Sequence, residues 1–177
     1  MNWRRQGAIL FMPFLCLLLT LAACACPAPT PTPTSGVTLV WIAPSPVGAQ
    51  PGEEFDIRLE VDSDGKGISA GEISLSFNSE VMEVIGAEPG DLLGPDPLEG
   101  IRRIDNERGT VRYALGRVGV THPSTEPGTF AILTFRIPDG AKTGNYSIDI
   151  ISVGLADEKF EDISPIQIKG GQVSVTS

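Results

Sequence analysis

Apolar and polar residues alternate along most of the chain after residue 36, with the period of two expected of strands that have one buried and one exposed face. In the clearest example, Phe55, Ile57, Leu59 and Val61 alternate with charged residues. The pattern predicts nine strands, separated by turns rich in Gly, Pro, Asn and Asp. They cover 37–42, 54–61, 73–77, 81–85, 100–105, 111–116, 128–137, 145–153 and 166–175. Because no segment has a convincing helical period, we expect an all-β sandwich of two packed antiparallel sheets.

The last predicted strand changes the parity of its apolar residues in the middle. Ile166 and Ile168 occupy even positions, whereas Val173 and Val175 occupy odd ones, and Gly170-Gly171 lies between the two pairs. A β-bulge inserts one extra residue into a strand and is often built on glycine. We therefore expect a bulge at this point that keeps both pairs facing the core.

The stretch 70–93 carries the most specific motif of the chain. It begins with Ala70-Gly71-Glu72, runs through an alternating strand to Phe77, and ends in Gly90-Asp91-Leu92-Leu93. This order resembles the cohesin family, whose modules share a Gly-Ala-Glu strand followed by a second apolar strand and Gly-Asp-Leu-Leu. The chain has Asn78-Ser79 where that family has Asp-Pro, and Asn favours a turn as well.

Further segments resemble cohesins in the same order along the chain. The resemblance implies a nine-stranded jelly-roll sandwich over residues 37–177, similar in fold to carbohydrate-binding modules. The matching segments are 50–55, 109–111, 128–135 and 171–175.

The N-terminal segment predicts export. Arg4 and Arg5 precede an apolar run, and Leu21-Ala22-Ala23-Cys24 places small residues before a cysteine. This resembles the bacterial lipobox, which implies that residues 1–23 are a lipoprotein signal peptide and that Cys24 is lipidated. The expected location is extracytoplasmic, anchored to the membrane or the cell surface. Plain secretion, with Cys24 incidental, is the alternative.

Residues 24–36 form a linker by composition. Every second residue from Pro27 to Thr34 is proline, which favours polyproline II at about 3.1 Å per residue. We expect a stalk that holds a domain of residues 37–177 on the order of 25 Å from the lipid.

Charge and composition exclude several functions. The chain has 13 Lys+Arg against 22 Asp+Glu, a net charge of -9, which argues against nucleic acid and anionic membrane surfaces as partners. The three cysteines, Cys16, Cys24 and Cys26, all precede the predicted domain, which leaves none there for a disulfide, a metal site or a thiol nucleophile. The only histidine, His122, lies in a polar turn, and 62–67 lacks the ligands of a calcium loop. We expect no catalytic site, no metal and no cofactor.

A partner-binding face follows from the strand parities. With Ile73, Leu75 and Phe77 inward and Val111, Tyr113 and Leu115 inward, the residues between them point outward. Four of these are small and predict a flat floor on which a helix could lie, with charges at its edges. The outward residues are Glu72, Ser74, Ser76, Arg112, Ala114 and Gly116, and the strand near Arg102 to Ile104 joins them with unsettled parity.

Resemblance to cohesins gives this face a partner. In that family the corresponding strands bind a dockerin domain of another secreted protein, and the dockerin carries the calcium. The chain is thus expected to be a protein–protein interaction module and not an enzyme, in the context of polysaccharide degradation.

Two other functions stay open at this point. A carbohydrate-binding module needs exposed aromatic rings in a row, and only Trp41, Phe130 and Phe160 are not required by the core parity. A generic immunoglobulin-like adhesion domain is the second alternative, because any sandwich repeats such turns and alternations.

Overall fold

The computed structural model describes residues 36–119 and 122–177, which form eleven strands and no helix. The predicted signal peptide, the lipidation site at Cys24 and the linker up to residue 35 lie outside the described residues. Residues 36–119 and 122–177 contain no helix that could cross a membrane. The strands are β1 (Thr38–Ala43), β2 (Val47–Ala49), β3 (Glu54–Asp62), β4 (Ala70–Phe77), β5 (Glu83–Pro89), β6 (Leu98–Asp105), β7 (Thr110–Gly116), β8 (Gly128–Arg136), β9 (Gly144–Ala156), β10 (Ile166–Lys169) and β11 (Gly171–Val175).

The strands form two sheets that enclose one apolar core. The five-stranded sheet has the order β10-β1-β3-β8-β5, and the six-stranded sheet has the order β2-β11-β9-β4-β7-β6. The predicted inward residues of β4 and β7 are buried, with Ile73, Leu75, Val111, Tyr113 and Leu115 each at most 3% exposed. The expected all-β sandwich is thereby confirmed.

The sheets are mixed, not purely antiparallel, and the strand count differs from the nine expected. Both differences arise because the first and the last segments each cross from one sheet to the other. The first crosses between β1 and β2, and the last between β10 and β11. As a result β1 pairs with β10 in parallel, and β2 pairs with β11 in parallel. The jelly-roll topology stays a prediction.

The predicted bulge at Gly170-Gly171 is wrong for the same reason. Ile166 and Ile168 lie beside β1 in the five-stranded sheet, whereas Val173 pairs with Tyr146 of β9 in the six-stranded sheet. Gly170 sits where the chain changes sheets, and a Cβ there would lie 2.7 Å from the carbonyl oxygen of Ile148. Only glycine permits this approach, so the two glycines mark a crossing between layers.

Asn78 forms the turn that the cohesin motif builds with Asp-Pro. Its side-chain Oδ1 accepts the backbone N–H of Glu80 at 2.9 Å, and its carbonyl accepts those of Val81 and Met82 at 3.2 and 3.1 Å. Val81 and Met82 are buried in this turn, and β5 begins after them at Glu83.

Phe130, which the alternation left free for other roles, is buried in the core at 1% exposure. The register between β3 and β8 shifts so that Leu59 pairs with Ala131 and Glu60 with Thr129. Phe130 is the extra residue of this bulge. Its ring lies over Gly71 of β4, where a Cβ would stand 2.8 Å from Phe130 Cε2. The glycine of the Ala-Gly-Glu motif thus makes room for an aromatic ring from the opposite sheet.

Candidate partner-binding face

Four adjacent strands, β9, β4, β7 and β6, present a continuous surface on the side of the six-stranded sheet away from the core, which we call the outer face. Residues paired across antiparallel strands point to the same side of a sheet. Ser74 pairs with Ser152 of β9 and with Arg112 of β7, and Arg112 pairs with Arg103 of β6. The same registers bring six of the predicted residues to the outer face: Glu72, Ser74, Ser76, Arg112, Ala114 and Gly116.

Arg102 does not lie on the outer face with them. It pairs with the buried Tyr113, so its side chain leaves β6 on the core side. There its Nη1 donates to the carbonyl oxygen of Ala87 on β5 at 3.2 Å, and its Nε lies 3.2 Å from Glu99 Oε1. Arg102 therefore links the edges of the two sheets, and the outward arginine of β6 is Arg103. A register shift between Glu99 and Ile101 hides this parity from the sequence.

Tyr113 contributes to the same edge from inside. Its hydroxyl donates to Glu99 Oε2 at 2.9 Å. Burial, and then this hydrogen bond to a carboxylate, raise the pKa of Tyr113 above its ordinary value. The phenol thus stays neutral and holds β6 against β7.

Glu72 and Arg112 form a bidentate ion pair in the middle of the outer face. The Arg112 Nε and Nη2 atoms donate to Glu72 Oε1 and Oε2, each at 2.8 Å. The hydrogen bond and the charge of Glu72 raise the pKa of Arg112. The sequence placed these two charges at the edges of the floor. In the structure they lie on interior strands and neutralise each other.

One end of the outer face is apolar and concave. We call it the apolar end and define it by Ala70, Leu98, Ala114, Gly116 and Ala156, which surround a depression of about 380 Å³. Ala70 pairs with Gly116 and Ala156, and Gly116 with Leu98, so one row of residues crosses all four strands. Leu98 is 65% exposed. Such an exposed apolar surface on a sheet is typical of an interaction site.

The other end is basic. We call it the arginine end and define it by Arg103, Arg108 and Arg112, which line a depression of about 260 Å³ together with Ser74 and Ile151. The β4–β9 register shifts between Ser74 and Leu75, so Ile151 is an extra residue of β9 and is 58% exposed. Sequence reasoning missed Ile151 and Arg103. An isoleucine at an outward position after Ile148 and Ile150 was the available signal for the first.

The aromatic residues do not form a platform for sugar rings. Trp41 is partly buried on β1 of the five-stranded sheet, Phe130 is in the core, and Phe160 is 79% exposed on the loop after β9. Backbone N–H groups of Glu161 and Lys159 donate to the Asp157 carboxylate that organises this loop, and they lower the pKa of Asp157. Among the described residues, these rings lie on separate elements and do not make a row.

The polar residues that the sequence analysis considered as catalytic or metal-binding candidates have neighbouring polar partners on the surface. His122 Nδ1 lies 3.4 Å from Glu158 Oε2 on the surface. Lys66 of the 62–67 turn donates to the carbonyl oxygens of Gly36 and Ser164, each at 3.4 Å. Within residues 36–119 and 122–177, no group of three or more His, Cys, Asp or Glu side chains is placed to hold a metal ion.

The protein is an all-β sandwich, and the outer face of its six-stranded sheet is exposed. The family model for the cohesin domain matches residues 40–175, and the chain belongs to the cohesin family. This confirms the resemblance inferred from the motifs.

Two curated relatives are scaffolding proteins of Acetivibrio thermocellus. The chain is 30% identical over 128 residues, 69% of its length, to cellulosomal-scaffolding protein A. It is 27% identical over 131 residues, 71% of its length, to cellulosomal-scaffolding protein B. The matches span only 7% and 17% of these relatives' own lengths.

Solved structures share the fold. The seventh ScaB type I cohesin of Pseudobacteroides cellulosolvens has a TM-score of 0.66 at 18% identity, covering 80% of this chain and 93% of that one. A type I cohesin–dockerin complex of Clostridium thermocellum, Coh-OlpC-Doc435, gives 0.63 at 20% identity, covering 84% and 98%. A non-cellulosomal cohesin of Archaeoglobus fulgidus gives 0.61 at 12% identity, covering 80% and 92%.

Proposed function

We propose that this protein is a cohesin module that captures the dockerin domain of another secreted protein on its outer face. The observation that carries the proposal is the flat floor of β4 and β7, where Ser74, Ala114 and Gly116 point away from the core. Small side chains let a helix approach a surface closely. Several of the similar solved structures are cohesin–dockerin complexes, which supports a partner of this kind.

The two ends of the outer face add an apolar residue for burial and charged groups to the floor of small side chains. A stable protein–protein interface buries about 800 Å² on each partner, with an apolar centre and a polar rim. The apolar end offers Leu98 for burial, whereas the arginine end offers charges that steer association. Calcium belongs to the dockerin in this proposal, and the cohesin contributes no metal ligand.

The protein is anchored outside the cytoplasm and has no catalytic role in this proposal. Cys24 carries lipid and tethers the domain outside the cytoplasm through the Pro/Thr linker. The anchoring is stable if the lipid has two or more acyl chains, because a single chain binds a membrane only marginally. The protein acts as an adhesion module for polysaccharide-degrading partners and not as an enzyme. The cohesin family replaces the immunoglobulin-like alternative, and the separate aromatic rings disfavour direct sugar binding.

Bulky substitutions on the floor test the binding face. We expect Ser74→Trp and Ala114→Trp each to abolish capture of a dockerin protein that the wild type binds, because an indole on the floor would hold a helix away. Lys169→Trp on β10, an exposed position of the five-stranded sheet, is the matched control and should bind normally. Circular dichroism checks that all three variants fold.

Unchanged dockerin affinity in both floor variants would show that another surface binds. Retention of the wild type on insoluble polysaccharide in the absence of any dockerin would instead favour the carbohydrate-binding alternative.

A further inference from the structure

We propose that the arginine end is a subsite for an Asp or Glu side chain of the dockerin helix that lies across the floor. This inference rests on the proposed function and goes further, because it states the chemistry and the orientation of the partner. The helix must carry its carboxylate where it passes Ser74 and Arg103, and apolar residues where it passes Leu98.

The arginine end contains a like-charge pair on the outer face. Arg103 and Arg112 are direct cross-strand neighbours on β6 and β7. Like charges in this arrangement destabilise a sheet. Glu72 neutralises Arg112 by two hydrogen bonds of 2.8 Å, but Arg103 has no carboxylate partner in the part of the chain that the structure describes. An anion from outside would relieve this repulsion.

Arginines outnumber carboxylates around Arg103. Three guanidinium groups line the 260 Å³ depression, against the single carboxylate of Asp105. That carboxylate already accepts the backbone N–H of Arg108 at 3.0 Å, while the Arg108 guanidinium lies 3.9 Å from it and is 77% exposed. Arg103 and Arg108 are therefore both available to a further acceptor, and a planar guanidinium binds a carboxylate through two parallel hydrogen bonds.

The basic arginine end contrasts with the acidic protein as a whole. The chain has a net charge of -9, so three arginines around one depression run against its overall charge. A local basic site on an acidic protein attracts an acidic group of the partner only at that point.

The apolar end fixes the direction in which the helix lies. A helix reversed on the floor would bring its carboxylate into the depression around Leu98, Ala70 and Ala156. A charge desolvated there would find no cationic partner, which is costly. The two ends thus select one orientation by an attraction at one end and a penalty at the other.

The test measures the affinity of the whole protein for individual dockerin modules from the source organism, with calcium present. We expect Arg103→Gln to weaken binding by at least about tenfold, because it removes charge-assisted hydrogen bonds to the partner's carboxylate. Arg103→Glu should weaken it further, and Arg103→Lys should retain part of it. Lys169→Glu on β10 makes the same change of charge on the other sheet and should bind like the wild type.

A charge swap identifies the occupant. Each Asp and Glu on the dockerin helices is replaced in turn by Lys, and one such change should restore binding to Arg103→Glu while it weakens binding to the wild type. The dependence of affinity on salt should be smaller for Arg103→Gln than for the wild type, because one ion pair is lost.

The outcomes separate this inference from the proposed function. If Ala114→Trp abolishes capture while Arg103→Glu binds like the wild type, the face is right and the carboxylate subsite is wrong. If Arg103→Glu fails but no dockerin charge swap restores it, the occupant is not a dockerin carboxylate. If no dockerin binds the wild type, both proposals fall.

Discussion

Gly71 lies so close to the Phe130 ring that a larger residue at this position should lower the free energy of unfolding. A methyl group added at Gly71 would lie 2.7 Å from Leu155 Cδ2 and 2.8 Å from Phe130 Cε2, closer than carbon atoms pack. Overpacking of this kind costs about 1–3 kcal/mol. We therefore expect Gly71→Ala to lower the free energy of unfolding by about 2 kcal/mol.

A second substitution should relieve the clash with Phe130, while the contact with Leu155 Cδ2 stays. Phe130→Leu alone leaves space in the core and should cost about 1–2 kcal/mol. In the double variant the smaller leucine side chain accommodates the new methyl group, so the combined loss should be smaller than the sum of the single losses by about 1 kcal/mol. Val173→Ala, on the distant β11, is the control partner, and its effect should add to that of Gly71→Ala.

Urea unfolding followed by circular dichroism measures these differences. With a slope of about 2 kcal/mol per molar urea, Gly71→Ala should lower the midpoint by about 1 M. Strict additivity of Gly71→Ala and Phe130→Leu, or an unchanged midpoint for Gly71→Ala, would refute the packing of the Phe130 ring against the motif glycine.

Three further predictions follow from other parts of the chain. Cys24→Ala should release the protein from the membrane fraction, and labelled fatty acid on that variant would contradict lipidation at Cys24. Calcium and chelators should leave the melting temperature of the isolated protein unchanged while chelators abolish dockerin capture; a calcium-raised melting temperature would show a metal site on the cohesin itself. The stability of the wild type should fall as the pH rises above about 10. Burial and Glu99 raise the pKa of Tyr113 in the folded chain, so the folded chain keeps the Tyr113 proton at a pH where the unfolded chain loses it. Tyr113→Phe should cost about 1 kcal/mol at neutral pH but lose stability less steeply above pH 10, and parallel slopes in urea unfolding would contradict this account.

The alternation of apolar residues was sufficient to predict the sandwich and the orientation of its central strands. Ile73 and Leu75 of β4 and Tyr113 of β7 are buried because each lies on the core side of its strand. The period of two alone therefore predicts Ser74 and Ala114 on the opposite side. The predicted floor depends on these two strands, and its geometry followed from the sequence for that reason.

The alternation of apolar and polar residues does not predict β-bulges or the points where the chain passes from one sheet to the other. An extra residue in a strand resets the parity after it, which moved Phe130 into the core and placed Arg103, not Arg102, on the outer face. Alternation also says which residues are buried but not which neighbour a strand pairs with. It therefore could not distinguish a bulge at Gly170 from a passage between the two sheets.

The pairing of the chain's first strands with its last ones has a consequence for the order of folding. β1 pairs with β10 and β2 pairs with β11, so neither early strand can complete its hydrogen bonds until β10 and β11 have been synthesised. Contacts between such distant segments form late, because the intervening loop must be closed first. Until β10 and β11 have been synthesised, β1 and β9 are edge strands, and a chain cut before Ile166 would expose them to pairing with other chains.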